Sequence, residues 1–247
     1  MPVIELRNYR LVEGRTTDFI RYFEEHFLFS QRDQGMHPLG QFAVIDASDR
    51  FVWLRAFDDM PARLRGLTAF YGGPFWLARR ETANAMMLEH HDVHLLRPLG
   101  PVSALTRELS LEDRASEPAG ALPRHTGLVV ADFHRAGPGG LGRLVELFEE
   151  RMLEALVEQG HQVLGHFVAE PAPNDYPRLP VVQDPDLLVV LTAYPDPERH
   201  AALRRAWSQG DPRLRQELTA LAPGGVTTLC LRPTARSLIR HHAAPSR

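Results

Sequence analysis

The chain has 247 residues, of which 44% are hydrophobic and 24% charged, and its formal net charge is −3. This composition is that of a globular protein with one large domain or two small ones, and it offers neither a basic stripe for nucleic acid nor an apolar run for a membrane span. All 28 basic residues are arginine, which excludes Schiff-base and P-loop lysine chemistry, and the single cysteine excludes an intrachain disulfide.

The first 98 residues predict the element order βαββ(αα)β. Residues 3–11 alternate as a half-buried strand does, and residues 16–34 repeat large apolar side chains at helical spacing up to Gly35. The predicted elements are strand 3–11, helix 16–34, strands 41–46 and 50–57 joined at 47–49, helices 60–71 and 74–89, and strand 92–98.

An internal duplication covers most of the chain. The twenty residues from Phe23 align without gaps with the twenty from Phe148, and nine are identical, where average composition predicts roughly one. The matches continue downstream at a larger offset, so the second copy repeats the element order. The predicted divisions are a first copy 1–99, a linker 100–124, a second copy 125–235 and a flexible tail 236–247.

The second copy carries an insert, residues 171–186, where a tight hairpin is expected. It contains five prolines. A loop of this length inside a small unit is either a plain surface loop or a lid or contact surface.

Four segments of the first copy resemble the hallmark segments of the NIPSNAP family: IELRNYRLVEG, FEEHFL, FVWLRAFDDMPAR and AFYGGPFW. The resemblance implies an α+β fold in which two tandem ferredoxin-like βαββαβ units form a dimeric α+β barrel. That barrel closes either within one chain or between two, and a homo-oligomer, a dimer, is expected. Relatives at superfamily level include cofactor-free monooxygenases, haem-degrading enzymes and polyketide-cyclase-like proteins.

The two copies differ at the hallmark positions. Trp53 and Arg55 of the first copy align with Val190 and Thr192 of the second. If the hallmark residues form a site, the first copy is therefore expected to keep it and the second to have lost it.

Strand alternation predicts a substrate-binding surface in the first copy. Ile4, Leu6, Val52, Leu54 and Ala56 are assigned to the helix side of the sheet, and the alternate residues are assigned to the space between the two sheets. The predicted substrate-binding residues are Arg7, Tyr9, Trp53 and Arg55, with Tyr71 and Trp76 from AFYGGPFW. Arginines among aromatic side chains suit a carboxylate or an enolate. The alternative is that both arginines form structural ion pairs with residues such as Glu5.

The second copy supplies the candidate acid–base residues. Asp132 and His134 lie two positions apart on one strand face, and His166 lies on the next strand along the chain. A histidine beside a carboxylate is a credible general base near neutral pH. The alternative is a histidine that is merely exposed or hydrogen-bonded.

The sequence predicts no metal and no cofactor. His90 and His91 are adjacent and expected to point apart, whereas a metal needs converging ligands. By superfamily analogy, a haem held by His134, His166 or His94 is the alternative.

The predicted function is a cytoplasmic enzyme acting on a small organic molecule with an acidic or enolisable group. The pocket is expected between the β-sheets, and the reaction is proton transfer, cyclisation or cofactor-independent oxygenation. The alternative is a non-catalytic, oligomeric protein that carries a ligand or binds a partner. The expected partner is a small-molecule ligand, not nucleic acid or a membrane.

Overall fold

The computed structural model describes residues 1–106 and 109–243. Across these residues it has eight β-strands and nine α-helices. The strands are β1 Val3–Leu11, β2 His37–Val44, β3 Arg50–Phe57, β4 Met87–Pro98, β5 Leu128–Arg135, β6 Gln162–Ala169, β7 Leu187–Tyr194 and β8 Val226–Pro233. The helices are α1 Thr16–Arg32, α2 Met60–Gly72, α3 Pro74–Leu77, α4 Arg80–Asn84, α5 Ser103–Thr106, α6 Leu141–Leu147, α7 Leu153–Glu158, α8 Pro197–Gln209 and α9 Pro212–Leu221. In these two ranges, no helix has the length and apolar character needed to cross a membrane.

The strands form one closed barrel in the order β1-β3-β2-β8-β5-β7-β6-β4. Each copy contributes four antiparallel strands, and the two sheets join where β2 pairs with β8 and where β4 pairs with β6. The predicted fold class is confirmed: two tandem ferredoxin-like units build a dimeric α+β barrel. The barrel closes within a single chain.

Strand register repeats between the copies. Arg7 lies opposite Trp53 in the first copy as Asp132 lies opposite Val190 in the second. The pairing register also shifts at the same place, immediately before Gly40 in β2 and immediately before Gly165 in β6. A Cβ at Gly40 would lie 2.6 Å from the Phe42 ring, so the glycine leaves the space that this ring fills. The register thus supports the alignment of the copies residue by residue.

The predicted assignment of strand faces is wrong, although the alternation itself is correct. The aliphatic set, which includes Leu6 and Leu54, fills the barrel interior together with Val129 and Leu191 from the other sheet. The alternate set faces the helices, and Trp53 packs with Phe23 of α1. Because β1 and β3 are buried on both faces along almost their whole length, alternation cannot tell the inside from the outside. On β1 and β3 the rings of Tyr9, Phe51, Trp53 and Phe57 lie on the helix side, whereas Phe42 of β2 lies in the barrel interior.

The segment after α2 differs from the predicted helix 74–89. Two short helices, α3 and α4, are followed by β4, which begins at Met87. The early part of β4 pairs with the end of β1, where Leu11 lies opposite Met87. This pairing overrides the local helical pattern. His90 and His91 consequently lie within β4, with ring centroids 4.2 Å apart, and do not point apart as expected.

The predicted linker and tail are packed against the barrel. Leu105 of the segment 100–124 is buried in the barrel interior. In the predicted flexible tail, Leu238 and Ile239 are buried at 4% and 0% exposure, and Ile239 belongs to the barrel interior. Apolar burial thus extends to the tail, and only residues 244–247 lie outside the described part of it.

The insert of the second copy lies against the first copy. Tyr176 is buried and its ring stacks on that of Tyr71, with centroids 6.3 Å apart. The backbone N–H of Val182 donates to the Val93 carbonyl of β4 at 2.6 Å. Of the two alternatives for this loop, the structure shows the contact surface.

We expect Ile239→Ala to lower the free energy of unfolding by about 2–5 kcal/mol, because the truncation leaves a cavity in the barrel interior. Urea denaturation measures the change. Leu88→Ala, at a side chain that is 58% exposed, serves as the control and should change stability by roughly 0.5 kcal/mol or less. Equal losses in the two variants would show that the tail is not part of the core.

Candidate functional site

A buried charge cluster, defined here as Glu5, Arg7, Arg55, Arg63 and Asp175, lies under the helices of the first copy. Glu5 accepts from Arg7 at 2.7 Å, from Arg55 at 2.6 Å and from Arg63 at 2.8 Å, and all four side chains are at most 1% exposed. Arg63 also bonds Asp175 of the insert at 2.5 Å. The second copy therefore completes a charge network that begins on β1.

The electrostatics of this cluster favour a structural role for its arginines. Burial alone would raise the pKa of Glu5, but the guanidinium charges of Arg55, Arg7 and Arg63 outweigh burial and hold that pKa far below its usual range. Arg55 additionally donates to the Gln31 amide oxygen at 2.7 Å. The ion pairing with Glu5, the alternative to ligand binding, is thus what the structure shows for Arg7 and Arg55.

Four of the predicted substrate-binding residues do meet, on the helix side of the sheet and not between the sheets. Tyr9, Trp53, Tyr71 and Trp76 line one cavity of about 30 Å³, called here the first-copy cavity. The predicted arginines lie behind these rings: Arg7 donates to the Tyr9 hydroxyl at 2.7 Å, and the Arg55 guanidinium lies 4.9 Å from the Trp53 ring centre. The cavity is too small for an organic ring.

The equivalent place in the second copy is more open. Register equates Trp53 with Val190 and Arg55 with Thr192, so two large side chains are replaced by small ones. A cavity of about 140 Å³ results, called here the second-copy cavity. Its polar and aromatic lining comprises Asp132, His134, Phe148, His161, Thr192, Tyr194, His200, Arg204 and Trp207. The departures from the hallmark pattern therefore open a cavity in the second copy.

Two buried imidazoles in this cavity have a nitrogen with unmet hydrogen-bonding capacity. His134 and His161 are 7% and 6% exposed, and within the described residues neither His134 Nδ1 nor His161 Nε2 has a hydrogen-bond partner. The other nitrogen of His161 lies 2.7 Å from the Tyr194 hydroxyl. Buried polar atoms without protein partners are normally satisfied by water or by a ligand.

The protonation states follow from burial. Burial lowers the pKa of His134, with Asp132 opposing the change, and it also lowers the pKa of His161 and of His200. Burial raises the pKa of Tyr194 to about 12. At neutral pH the cavity therefore presents neutral imidazoles, which can accept a proton, and a phenol that keeps its hydrogen.

A π-helical segment, Phe148–Met152, forms part of the cavity wall between α6 and α7. Both its end residues, Phe148 and Met152, line the cavity. The aligned residues from Phe23 in the first copy belong to the regular helix α1. Single π-turns inside α-helices often mark functional sites, because the widened turn redirects side chains.

His166 lies outside the second-copy cavity. Its Nε2 lies 2.9 Å from the Glu149 carboxylate, and its ring lies 5.0 Å from that of Phe148, measured between centroids. His166 is not among the residues that line the cavity. In the sheet, β7 separates β6 from β5. The structure therefore brings Asp132 and His134 to one cavity but places His166 elsewhere.

The predicted single site is corrected in one further respect. The barrel interior, filled by apolar side chains, lies between the helix face of the first sheet and that of the second. Arg7 and Trp53 consequently cannot act on the same ligand as His134. The predicted site residues did not include His161, Tyr194 and His200, which line the second-copy cavity. The signal in the sequence that points to them is the smaller side chains at Val190 and Thr192.

Solved structures with this fold include a candidate monooxygenase from Lactobacillus acidophilus, 10% identical, with a TM-score of 0.58 over 94% of this chain and 93% of that one. An anthrone oxidase-like protein is 10% identical, with a TM-score of 0.59 over 94% and 91%. A mutant chlorite dismutase from Candidatus Nitrospira defluvii is 11% identical, with a TM-score of 0.52 over 96% and 93%. Together with the closed barrel, these likenesses place the chain in the dimeric α+β barrel class.

The family assignment is narrower and comes from the first copy. Residues 4–101 match the family model described as NIPSNAP, so this part of the chain is a NIPSNAP domain and the resemblance is confirmed. No curated protein matches the sequence significantly.

The second-copy cavity does not fit a haem. Its volume of about 140 Å³ lies below the roughly 300–1,000 Å³ of pockets for drug-sized ligands, and a haem is larger than those. His94, a further candidate ligand, lies against Phe133 and pairs with Asp92 at 3.5 Å. Within residues 1–106 and 109–243, no group of three or more His, Cys, Asp or Glu side chains is placed to hold a metal ion.

We expect Glu5→Gln to lower the free energy of unfolding by about 3–5 kcal/mol, since it leaves buried guanidinium charges without their shared carboxylate. Chemical denaturation at neutral pH measures the loss. Glu89→Gln, at an exposed carboxylate that pairs with Arg10, is the control and should cost about 1 kcal/mol or less. Because the folded-state pKa of Glu5 is depressed, its contribution is present above the unfolded-state pKa and is lost only in strong acid. A Glu5→Gln variant as stable as the control would exclude this role.

Proposed function

We propose that the second-copy cavity is the active site of an enzyme that removes a proton from a small organic molecule with an acidic or enolisable group. The observation that carries the proposal is the pair of buried imidazole nitrogens, His134 Nδ1 and His161 Nε2, that have no partner in the described part of the chain. A ligand in the cavity would satisfy both. The fold class supports it in general terms, through neighbours that include a candidate monooxygenase.

His134 is the proposed general base. Its neutral imidazole is buried, so it gains a proton only when a neighbouring charge stabilises the cation. Asp132, two residues away on β5, supplies that charge, since its electrostatic effect raises the pKa of His134. Thr228 donates to the Asp132 carboxylate at 2.5 Å and fixes its position. Proton abstraction thus leaves an imidazolium facing a fixed anion.

His161 is the proposed hydrogen-bond donor to the oxygen that becomes negative. The Tyr194 hydroxyl retains its proton at neutral pH and lies 2.7 Å from His161 Nδ1. When that hydroxyl donates to Nδ1, the imidazole hydrogen is on Nε2, the nitrogen that faces the ligand space. Arg204, also in the lining, adds a positive charge. These groups stabilise an enolate or phenolate, the first intermediate of an isomerisation, a cyclisation or a cofactor-free oxygenation.

The cavity volume limits the substrate to about one ring. A dry cavity of roughly 150 Å³ in another protein accommodates benzene, and the volume here is about 140 Å³. The apolar lining includes Met152, Leu156 and Leu218. The proposed substrate is therefore a monocyclic ketone, enol or phenol, or the ring end of a longer molecule.

Deuterium exchange at carbon tests the proposal directly. A panel of monocyclic ketones and phenols is incubated with the protein in heavy water, and NMR follows the loss of the exchangeable C–H signal. We expect His134→Gln to slow the exchange at least 100-fold, the usual range for loss of a general base being about 10²–10⁴. His166→Gln, which removes a histidine outside the cavity, is the matched control and should retain the wild-type rate.

The outcomes separate the two candidate functions. The second candidate function is a non-catalytic carrier, and it is favoured by the pairing of Arg55 with Glu5, a protein carboxylate, in the first copy. Thermal stabilisation of the wild type by a ligand, without any exchange, would indicate a carrier. Equal rates in wild type and His134→Gln would reject the assigned base.

The pH dependence of kcat/KM gives an independent prediction. The reaction needs neutral His134, so the rate should fall on acidification, with a midpoint below the ordinary histidine pKa of about 6.5 because burial lowers it. Asp132→Asn should move this midpoint lower still, since the aspartate charge opposes burial. A midpoint above 6.5, or one that rises in Asp132→Asn, would contradict the arrangement.

A further inference from the structure

The charge cluster of the first copy carries a surplus of positive charge. In the part of the chain that the structure describes, the three guanidinium groups of Arg7, Arg55 and Arg63 bond two carboxylates, Glu5 and Asp175. Three positive charges against two negative ones leave a surplus of one. An uncompensated buried charge is costly, so a further anion would be stabilised nearby.

The surplus lies directly behind the first-copy cavity. The Arg55 guanidinium is 4.9 Å from the Trp53 ring centre and 5.9 Å from that of Tyr71, and the Arg7 guanidinium is 5.6 Å from the Trp53 ring centre. Both rings line the cavity. Any species inside it therefore experiences a positive potential.

Two polar groups that line the cavity, those of Trp53 and Tyr9, offer hydrogen-bond donors. Trp53 is 2% exposed, and its indole N–H finds no acceptor among the residues described; this group can only donate. The Tyr9 hydroxyl oxygen already accepts from Arg7 Nε at 2.7 Å, which leaves its O–H hydrogen to donate. Gln31 also lines the cavity, but its amide oxygen already accepts from Arg55 at 2.7 Å. A water would need acceptors for its own hydrogens, whereas an anion uses the donors of Trp53 and Tyr9.

We propose that the first-copy cavity binds one small monovalent anion of the halide class, with chloride as the physiological example. The volume of about 30 Å³ exceeds the roughly 10–15 Å³ that a single water requires and excludes an organic ring. The anion accepts from the Trp53 indole and neutralises the surplus charge of the cluster. It thereby strengthens the network through which Arg63 holds the insert. This site is separate from the proposed active site and does not depend on it.

Anomalous diffraction locates the anion directly. Crystals of the full chain grown with bromide in place of chloride should show an anomalous peak in the first-copy cavity, within hydrogen-bonding distance of Trp53 Nε1. Crystals of Trp53→Phe, which keeps an aromatic ring and loses the donor, should lack it. A water at this position in the wild type, or bromide at the surface only, would overturn the proposal.

Thermal melting provides a second readout in solution. Chloride replaces gluconate at constant ionic strength, and the wild-type Tm should rise with a saturable dependence on chloride, as mass action requires for a ligand of the folded state. Trp53→Phe should lose this rise, and Trp207→Phe, at an indole lining the other cavity, should keep it. A wild-type Tm that does not change with chloride would refute the site, and a rise that persists in Trp53→Phe would refute the role of the indole.

Discussion

Closure of the barrel within one chain is the constraint on which the rest of the structure depends. Pairing of β2 with β8 and of β4 with β6 closes the sheet, and β1, β3, β5 and β7 are buried on both faces along almost their whole length. The space between the sheets is filled by apolar side chains, including Ile239 of the tail. The cavities proposed as ligand sites therefore lie outside this space, in the two layers between sheet and helices. Each copy has one such layer, and the two have diverged in opposite directions.

The divergence can be followed at paired positions. Where the first copy has Glu5 opposite Arg55, the second has Val130 opposite Thr192. The first copy fills its layer with a charge network and aromatic rings, and the second leaves a cavity with acid–base groups. The large side chains that resemble a ligand site in the sequence are therefore those that close one. The smaller residues Val190 and Thr192, which the sequence suggested had lost a site, are those that leave space for the second-copy cavity.

The sequence predicted the fold well because its signals were local or repeated. The alternation of residues 3–11, the helix after Thr16 and the duplication all carry over into the structure. The candidate site was harder to predict from the sequence. Alternation of side chains separates the two faces of a strand but does not identify the face that lies in the barrel interior. Arg7 and Trp53 were therefore placed on the wrong side of the sheet. His161 precedes β6 and Tyr194 ends β7, and only strand pairing brings these two residues, 33 positions apart, within a hydrogen bond.

The contact of the insert with the first copy also bears on how the chain is made. Glu5, Arg7, Arg55 and Arg63 leave the ribosome first, since synthesis runs from the amino terminus. Asp175 follows more than a hundred residues later, and its bond to Arg63 cannot form before then. During this interval the nascent amino-terminal half holds three arginines against one carboxylate, with β2 and β4 lacking their partners β8 and β6. Completion of the second half supplies the missing carboxylate and both missing strands, so the first half reaches its full set of contacts only when the second half is present.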